Sequence, residues 1–237
     1  MKTLKSAAVD GNATAPTPVH DARGFWRVLL ALVLPVPWLA KGLQYFVQSP
    51  YDDTASQIAA WADDDTYAWT QWLDTTFVVL VVPSVVALAW AARRGAPRLS
   101  AAGLIVLGGG FLAALSRNIN GDLVIWVAAR NDYDPGLIER WSEALEAEPQ
   151  VGLGGLAFIV GIVFGPILLG LALWRSQAVP GWAAAAVGLG GTSHPFLQFE
   201  HHVVGVGLWV LAAGCAGVSA RLLAMTNDEF DLPPARE

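Results

Sequence analysis

The chain has 237 residues, of which 54% are hydrophobic and 14% are charged, with a formal net charge of −6. A soluble domain carries about 25% charged residues, and here the apolar residues form uninterrupted blocks, so the composition argues against an ordinary soluble protein. The single cysteine excludes an intramolecular disulfide and a zinc site built from several cysteines. No basic patch supports binding to nucleic acid.

The first element in chain order is a polar tail over residues 1–24, which is predicted to be disordered and cytoplasmic. The apolar run that follows, from Val28, is about as long as the ~20 residues that span a bilayer. It shows no clear small-residue cleavage site, so it is predicted to be an uncleaved span and not a signal peptide.

Six apolar segments reach the ~20 residues that a helix needs to cross a bilayer. The fifth is interrupted by several glycines and by Pro195. The sequence therefore predicts an all-α integral membrane protein, with a bundle of about six transmembrane helices over 25–224 and a cytoplasmic tail over 225–237. The predicted spans are 25–48, 74–92, 99–117, 151–174, 181–198 and 202–224.

Arginines and acidic residues occupy alternate connections between these spans. The first connection, 49–74, contains six aspartates and no Lys or Arg, and the third, 117–150, contains seven acidic residues. The second connection contains Arg93, Arg94 and Arg98 and no acidic residue. Because cytoplasmic loops are enriched in Lys and Arg, both termini are predicted to be cytoplasmic and both acidic loops to face outward.

The acidic outer loops are predicted to contain short amphipathic helices. In the third connection, apolar residues recur at Leu137, Ile138, Trp141 and Leu145, a spacing that favours one face of a helix. Residues 58–62 show a similar pattern in the first connection. Such helices either cap a cavity, cover the ends of the spans, or dock a partner membrane protein.

A polar stripe in the first span is formed by Lys41, Gln44, Tyr45 and Gln48, which have the i, i+3, i+4, i+7 spacing of one helix face. A charged group inside a membrane helix costs about 2.5–3.5 kcal/mol on insertion scales, so such a stripe should face the bundle interior. Alternatively, Lys41 extends to the outer surface with the glutamines around it.

A histidine cluster lies between the last two predicted spans, where His194, Glu200, His201 and His202 fall within nine residues. One helix carrying them would form a polar stripe; otherwise a new helix begins near His194 with Pro195 in its first turn. Imidazole and carboxylate groups are ligands for a transition metal or for haem iron. Proton relay and a plain interfacial turn are the alternatives.

Helical spacing restricts the geometry of such a metal site. Adjacent His201 and His202 point about 100° apart on a helix, so His194 would pair with only one of them. Glu200 or a residue of another helix, such as Asp74, Asn118 or Asp122, would complete the site.

Arg117 and Asn118 end the third predicted span on the same outer side, and they extend the candidate cavity. An Arg117–Glu200 or a Lys41–Glu200 ion pair would neutralise Glu200. Either pair would also tie separate spans together.

The stretch Leu168-Leu-Gly-Leu-Ala-Leu-Trp-Arg-Ser-Gln-Ala-Val-Pro-Gly-Trp-Ala resembles one common in uncharacterised multi-pass membrane proteins of high-GC, actinobacterial-type bacteria. The resemblance implies a bacterial plasma (inner) membrane and no particular function. Three functions stay open from the sequence: a cavity that binds a metal, haem or small ligand; a proton-coupled transporter of small solutes; and a non-catalytic membrane subunit or assembly factor. The sequence does not decide whether the protein is an enzyme.

Overall fold

The structure, a computed structural model, describes residues 21–48, 56–58, 67–118, 121–193 and 201–231. Every regular element in these ranges is a helix, as the composition predicts, and none of the described residues forms a strand. The helices of four or more residues are α1 (Arg23–Val33), α2 (Val36–Val47), α3 (Tyr67–Ala92), α4 (Pro97–Asn118), α5 (Gly121–Arg130), α6 (Pro135–Glu146), α7 (Pro149–Ser176), α8 (Gly181–Gly190), α9 (His201–Ala224) and α10 (Asn227–Phe230).

Five segments of the described chain are long and apolar enough to cross a bilayer. They correspond to five of the six predicted spans: α1 together with α2, then α3, α4, α7 and α9. The remaining predicted span, 181–198, contains only the ten residues of α8, and residues 194–198 lie outside the described ranges. Ten helical residues rise about 15 Å, half of a ~30 Å hydrocarbon core, so a sixth crossing stays a prediction.

The first predicted span is interrupted near its middle, where α1 ends and α2 begins. Pro35 has no N–H, so the Ala31 carbonyl loses the hydrogen-bond partner that an uninterrupted helix would give it. The Ser219 hydroxyl of α9 donates to that carbonyl at 2.6 Å. The Ser84 hydroxyl of α3 donates to the Leu34 carbonyl at 2.7 Å, so two neighbouring helices stabilise the interruption.

Glycines allow the long helices to approach closely. A methyl group added at Gly110 of α4 would lie 2.7 Å from Gly161 Cα of α7, and one at Gly165 would lie 2.8 Å from Leu107 Cα. Between α2 and α9, a methyl group at Gly42 would lie 3.1 Å from the Gly205 carbonyl oxygen. Such small-residue contacts are the usual means of packing helices where lipid removes the hydrophobic driving force between them.

The two ends of the described chain meet at one end of the bundle. Arg23 donates to Asp228 at 2.6 Å, and Arg93 donates to the Phe230 carbonyl at 2.7 Å. Phe230 is buried beside Trp90, with ring centroids 6.1 Å apart. Residues 227–230 thus form a docked helix where the sequence pattern predicted only a tail. We call this the arginine end, defined by Arg23, Arg93, Arg94 and Arg221.

A smaller apolar cluster involves the two acidic connections. Ile58 packs with Ala128 and Ala129 of α5 and with Ile138 of α6. The structure confirms the amphipathic helix predicted in the third connection, although Trp141 of its apolar face is 46% exposed.

Candidate functional site

An ion pair joins α2 to α3 in the half of these helices away from the arginine end. Lys41 Nζ lies 2.7 Å from Asp74 Oδ1, and the two side chains are only 18% and 23% exposed. The Lys41 ammonium also lies 5.4 Å from the centroid of the Phe77 ring and 5.8 Å from that of Tyr45. Aromatic rings and a carboxylate together offset the cost of burying a cation in an apolar environment.

Three further polar atoms, on α2, α3 and α9, are buried and lack a hydrogen-bond partner among the described residues. They are Gln44 Oε1, Gln71 Nε2 and His201 Nδ1, from α2, α3 and α9 respectively. Gln44 lies one helical turn after Lys41, and Gln71 lies one turn before Asp74. Buried polar atoms are nearly always satisfied in proteins, so unsatisfied ones indicate a place for water or for a ligand.

His201 is connected to this region through Tyr45. Its imidazole lies edge-on to the Tyr45 ring, with centroids 5.7 Å apart. Since Tyr45 follows Gln44 directly and contacts the Lys41 ammonium, all these groups belong to one region. We call it the polar centre, formed by Lys41, Gln44, Gln71, Asp74 and His201.

The polar centre offers hydrogen-bonding groups of every type. The Lys41 ammonium and the Gln71 amide nitrogen donate, while the Asp74 carboxylate and the Gln44 amide oxygen accept. The His201 nitrogen donates or accepts according to its tautomer. A cation and an anion therefore stand side by side with uncharged donors and acceptors around them.

The two adjacent histidines of α9 contact different residues, as their helical spacing predicts. His201 contacts Tyr45, whereas His202 is exposed and stacks on Phe46 with ring centroids 5.6 Å apart. They do not converge on a common point, so a metal ion shared by both rings is not supported.

The metal or haem site predicted from the histidine cluster lies only partly within the described ranges. His194 and Glu200 fall in residues 194–200, which are outside them. Among the described residues, no three His, Cys, Asp or Glu side chains are close enough to hold a metal ion. The predicted ligand set of His194, Glu200, His201 and His202 therefore stays a prediction.

The other predicted cavity residues are distributed as follows. Gln48 follows α2, and its backbone N–H donates to the Gln44 carbonyl at 2.8 Å. Arg117 and Asn118 lie in the last turn of α4, with side chains outside the described part of the structure. The Arg117–Glu200 and Lys41–Glu200 ion pairs stay predictions, because Glu200 lies outside the described residues. Among the described residues, the ion-pair partner of Lys41 is Asp74.

Gln71 and the role of Asp74 as the partner of Lys41 did not emerge from the sequence. The sequence does contain a signal for them, since Gln71 and Asp74 are three residues apart, as are Lys41 and Gln44. Each pair therefore lies on one face of its helix. Two such polar faces on consecutive apolar helices favour contact with each other.

No known protein family, curated protein or solved structure matches this chain. No function is therefore transferred from a relative.

Proposed function

We propose that this chain is a multi-pass membrane protein that binds a small polar solute at the polar centre, from the non-cytoplasmic side. The observation that carries the proposal is the set of three buried, unpartnered polar atoms supplied by three helices around the Lys41–Asp74 pair. Ionisable groups inside membrane bundles are costly and mark binding sites or transport pathways.

The proposed orientation in the bacterial plasma membrane is supported by the arginine end. Arg23, Arg93, Arg94 and Arg221 meet there around residues 226–231. The positive-inside rule counts Lys and Arg and gives little weight to acids, so this end is assigned to the cytoplasm even though aspartates accompany the arginines. Both termini are then cytoplasmic, and the polar centre lies towards the outer leaflet.

The best-matched solute is a small zwitterion that carries a carboxylate and an ammonium group. In its absence Lys41 and Asp74 neutralise each other. A zwitterion would exchange one ion pair for two, since its carboxylate would bind the Lys41 ammonium and its ammonium the Asp74 carboxylate. Gln44 and Gln71 would supply the remaining hydrogen bonds.

A thermal-shift comparison of purified protein tests this proposal. Glycine and larger amino acids would be compared with acetate and methylamine, which each carry one of the two charged groups. A bound solute at 100 times its Kd stabilises the folded state by about 2.7 kcal/mol. We expect Tm to rise with a zwitterion in the wild type and much less in Gln44→Leu and Gln71→Leu.

Gln150→Leu is the matched control, because Gln150 is exposed and bonds only to Glu148 in the described structure. It should respond to the solute like the wild type. A wild type whose Tm is raised by none of these solutes would contradict the proposal.

Proton-coupled transport of such a solute is a second candidate, favoured by the interruption of the first predicted span. Discontinuous helices beside a central site are common in secondary transporters, and the interruption at Leu34–Pro35 precedes Lys41 on the same span. Uptake of labelled solute into proteoliposomes under a pH gradient tests it. His201→Gln, which retains a hydrogen-bonding group that cannot change charge, should lose the pH dependence of uptake.

A bound metal or haem is a further candidate, since the His201 nitrogen is buried without a described partner. Metal analysis and a visible spectrum of the wild type and of His194→Ala/His201→Ala test it. Stoichiometric metal or a Soret band, lost in the double variant, would favour this candidate over a polar solute.

A non-catalytic subunit that docks a partner membrane protein through its outer loops is the remaining candidate. It is favoured by α6, where Leu137 and Trp141 are 56% and 46% exposed. Substitution of both by serine would release such a partner and leave solute binding unchanged.

A further inference from the structure

The polar centre and the arginine end lie at opposite ends of the same group of helices. The polar centre receives its side chains from α2, α3 and α9. At the arginine end, the docked residues 226–231 contact α1 through Arg23, the turn after α3 through Arg93, and α9 through Arg221. Because α1 and α2 are the two halves of the first predicted span, the same three segments surround both places. We call the place where residues 23–47, 67–92 and 201–224 meet the seam.

Buried hydrogen-bonding groups continue along the seam between these two ends. The Ser84 hydroxyl of α3 accepts from the Trp38 indole N–H at 2.9 Å and donates to the Leu34 carbonyl at 2.7 Å. Nearer the arginine end, the Ser219 hydroxyl of α9 donates to the Ala31 carbonyl at 2.6 Å. Ala31, Leu34 and Trp38 are three and four residues apart, so these contacts follow one side of the first span. Polar groups of all three segments therefore continue beyond the polar centre.

Two more buried polar atoms, which bond to none of the described residues, border the docked helix α10. They are Arg27 Nε of α1 and Trp90 Nε1 of α3. Arg27 is close enough to Glu229 for its charge to contribute to the lowered pKa of that carboxyl. The Trp90 ring lies beside Phe230, with centroids 6.1 Å apart. Because buried donors without a partner indicate room for water or a ligand, the series of polar groups extends to the docked helix.

The docked residues 226–231 close the seam at the arginine end. Phe230 is only 3% exposed and belongs to the main core cluster, although it lies beyond the last span. Polar contacts hold it in place, since Arg23 donates to Asp228 at 2.6 Å and Arg93 donates to the Phe230 carbonyl at 2.7 Å. A helix of four residues is not stable by itself, so its release would be a local event that leaves the spans folded.

We propose that residues 226–231 are a cytoplasmic gate, whose release opens a polar path along the seam between the polar centre and the cytoplasm. The proposal rests on solute binding at the polar centre and on the cytoplasmic assignment of the arginine end, both put forward above. With Phe230 buried the gate is closed, as alternating access requires of a site that is open to the outside. Release of the gate would expose the Arg27 guanidinium and the Trp90 N–H, which are donors that suit the carboxylate of a zwitterion.

Cysteine accessibility tests the gate separately from solute binding. Ser219→Cys places a thiol on the seam instead of a hydroxyl group, and Cys215→Ala in the same chain removes the native thiol. A membrane-impermeant thiol reagent would be added to inside-out vesicles, which present the cytoplasmic side. We expect slow labelling when the C-terminal residues are intact. Phe230→Ala should speed labelling by about tenfold or more, because loss of a buried phenyl ring weakens docking of the gate.

A second variant and a control position complete the experiment. A chain that ends at Met225 lacks the gate altogether, so its Ser219→Cys form should be labelled at least as fast as the Phe230→Ala form. Leu173→Cys is the control, because Leu173 is fully buried and lies on α7, outside the three segments of the seam. It should stay protected in the intact, Phe230→Ala and shortened chains.

Two results would overturn the proposal. One is labelling of Ser219→Cys that neither Phe230→Ala nor the shortened chain accelerates. The other is faster labelling of Leu173→Cys in either form, because the docked helix would then hold the whole bundle together instead of closing one path. Failure of solute binding has a different readout, since it would appear as an unchanged Tm of the wild type with every zwitterion.

Discussion

Lys41 and Asp74, 33 residues apart in sequence, form an ion pair of 2.7 Å that connects α2 to α3. Both side chains are less than a quarter exposed, so each charge depends on the other for most of its stabilisation. Gln44 and Gln71 lie one helical turn away from the pair on their respective helices. The same ion pair therefore connects two helices and provides the charged groups of the proposed solute site.

Loss of one member of this pair should destabilise the protein more than loss of both. Lys41→Met leaves the Asp74 carboxylate without a partner, so we expect a loss of about 2 kcal/mol, reduced from the 3–5 kcal/mol of a fully buried pair. That corresponds to a fall in Tm of roughly 4–8 °C. Lys41→Met/Asp74→Leu leaves no charge unpaired and should recover most of the stability.

Thermal unfolding in detergent measures both variants. The double variant should be stable and yet bind no zwitterion, which separates folding from binding. Equal losses of Tm in the single and double variants would contradict a coupled pair.

The hydroxyl of Ser84 should stabilise the interruption of the first predicted span. It donates to the Leu34 carbonyl at 2.7 Å and accepts from the Trp38 indole N–H at 2.9 Å. Ser84→Ala leaves both groups buried without this partner, which we expect to cost about 1–3 kcal/mol in chemical denaturation. Thr76→Ala on the same helix is the control, because the Thr76 hydroxyl bonds only to the Trp72 carbonyl of its own helix, and it should change stability by less than about 0.5 kcal/mol. Similar losses in the two variants would contradict this account of Ser84.

Two adjacent glycines of α4 should respond oppositely to the same substitution. A methyl group at Gly110 would lie 2.7 Å from Gly161 Cα, so Gly110→Ala has to separate α4 from α7 and should cost about 1–3 kcal/mol. A methyl group at Gly109 meets nothing within 4 Å, so Gly109→Ala should stabilise the helix by up to about 1 kcal/mol. Denaturation of both variants under identical conditions measures the difference, and a Gly110→Ala protein as stable as the wild type would show that the helices do not meet there.

The docked C-terminal residues 226–231 should be released by acid and not near neutral pH. Hydrogen bonds from Arg23 lower the pKa of Asp21 from 3.8 to about 2, and the backbone N–H of Thr226 lowers the pKa of Glu229 below its usual 4.5. A carboxyl whose pKa is lower in the folded state stabilises that state above its unfolded pKa. The stabilisation is then complete above about pH 5 and is lost as the pH falls from there towards 2.

Hydrogen exchange of the Phe230 and Asp231 amides, corrected for intrinsic rates, reports this release, since both donate backbone bonds at this helix. Glu229→Gln should show a smaller change with pH. Release between pH 6 and 8 would contradict the assignment to carboxyl groups.

The long helices could be predicted because lipid offers no hydrogen-bond partners. Each crossing segment therefore has to pair its backbone N–H and C=O groups internally, as a helix does. The pattern for α7 predicts 151–174, and the helix runs Pro149–Ser176. The interruption at Leu34–Pro35 was not predicted, although Pro35 is visible in the sequence. The hydrogen bonds from Ser84 and Ser219 that stabilise the interruption come from helices distant in sequence, so they depend on how the helices pack.

The candidate site was only partly predictable for the same reason. The Lys41 stripe follows from local spacing, whereas its contact with Asp74 depends on the register of α2 against α3. The docked C-terminal helix has a local signal, since Thr226-Asn-Asp-Glu229 fits the capping-box pattern, and both of its hydrogen bonds form. A helix of four residues is not stable by itself, so this local pattern alone did not predict it. Burial of Phe230 against the bundle stabilises the helix.

The central claim is that solutes reach the polar centre from outside the cell. Gln48→Cys tests it most directly, because Gln48 lies one helical turn beyond Gln44 and is partly exposed, while the single native cysteine, Cys215, is fully buried and provides an unreactive background. A membrane-impermeant thiol reagent would be added to intact cells and, separately, to inside-out vesicles, with Leu88→Cys as a buried control. We predict labelling of Gln48→Cys from the outside only, slowed by the zwitterion that raises Tm. Labelling from neither side, or from the cytoplasmic side alone, would contradict the account.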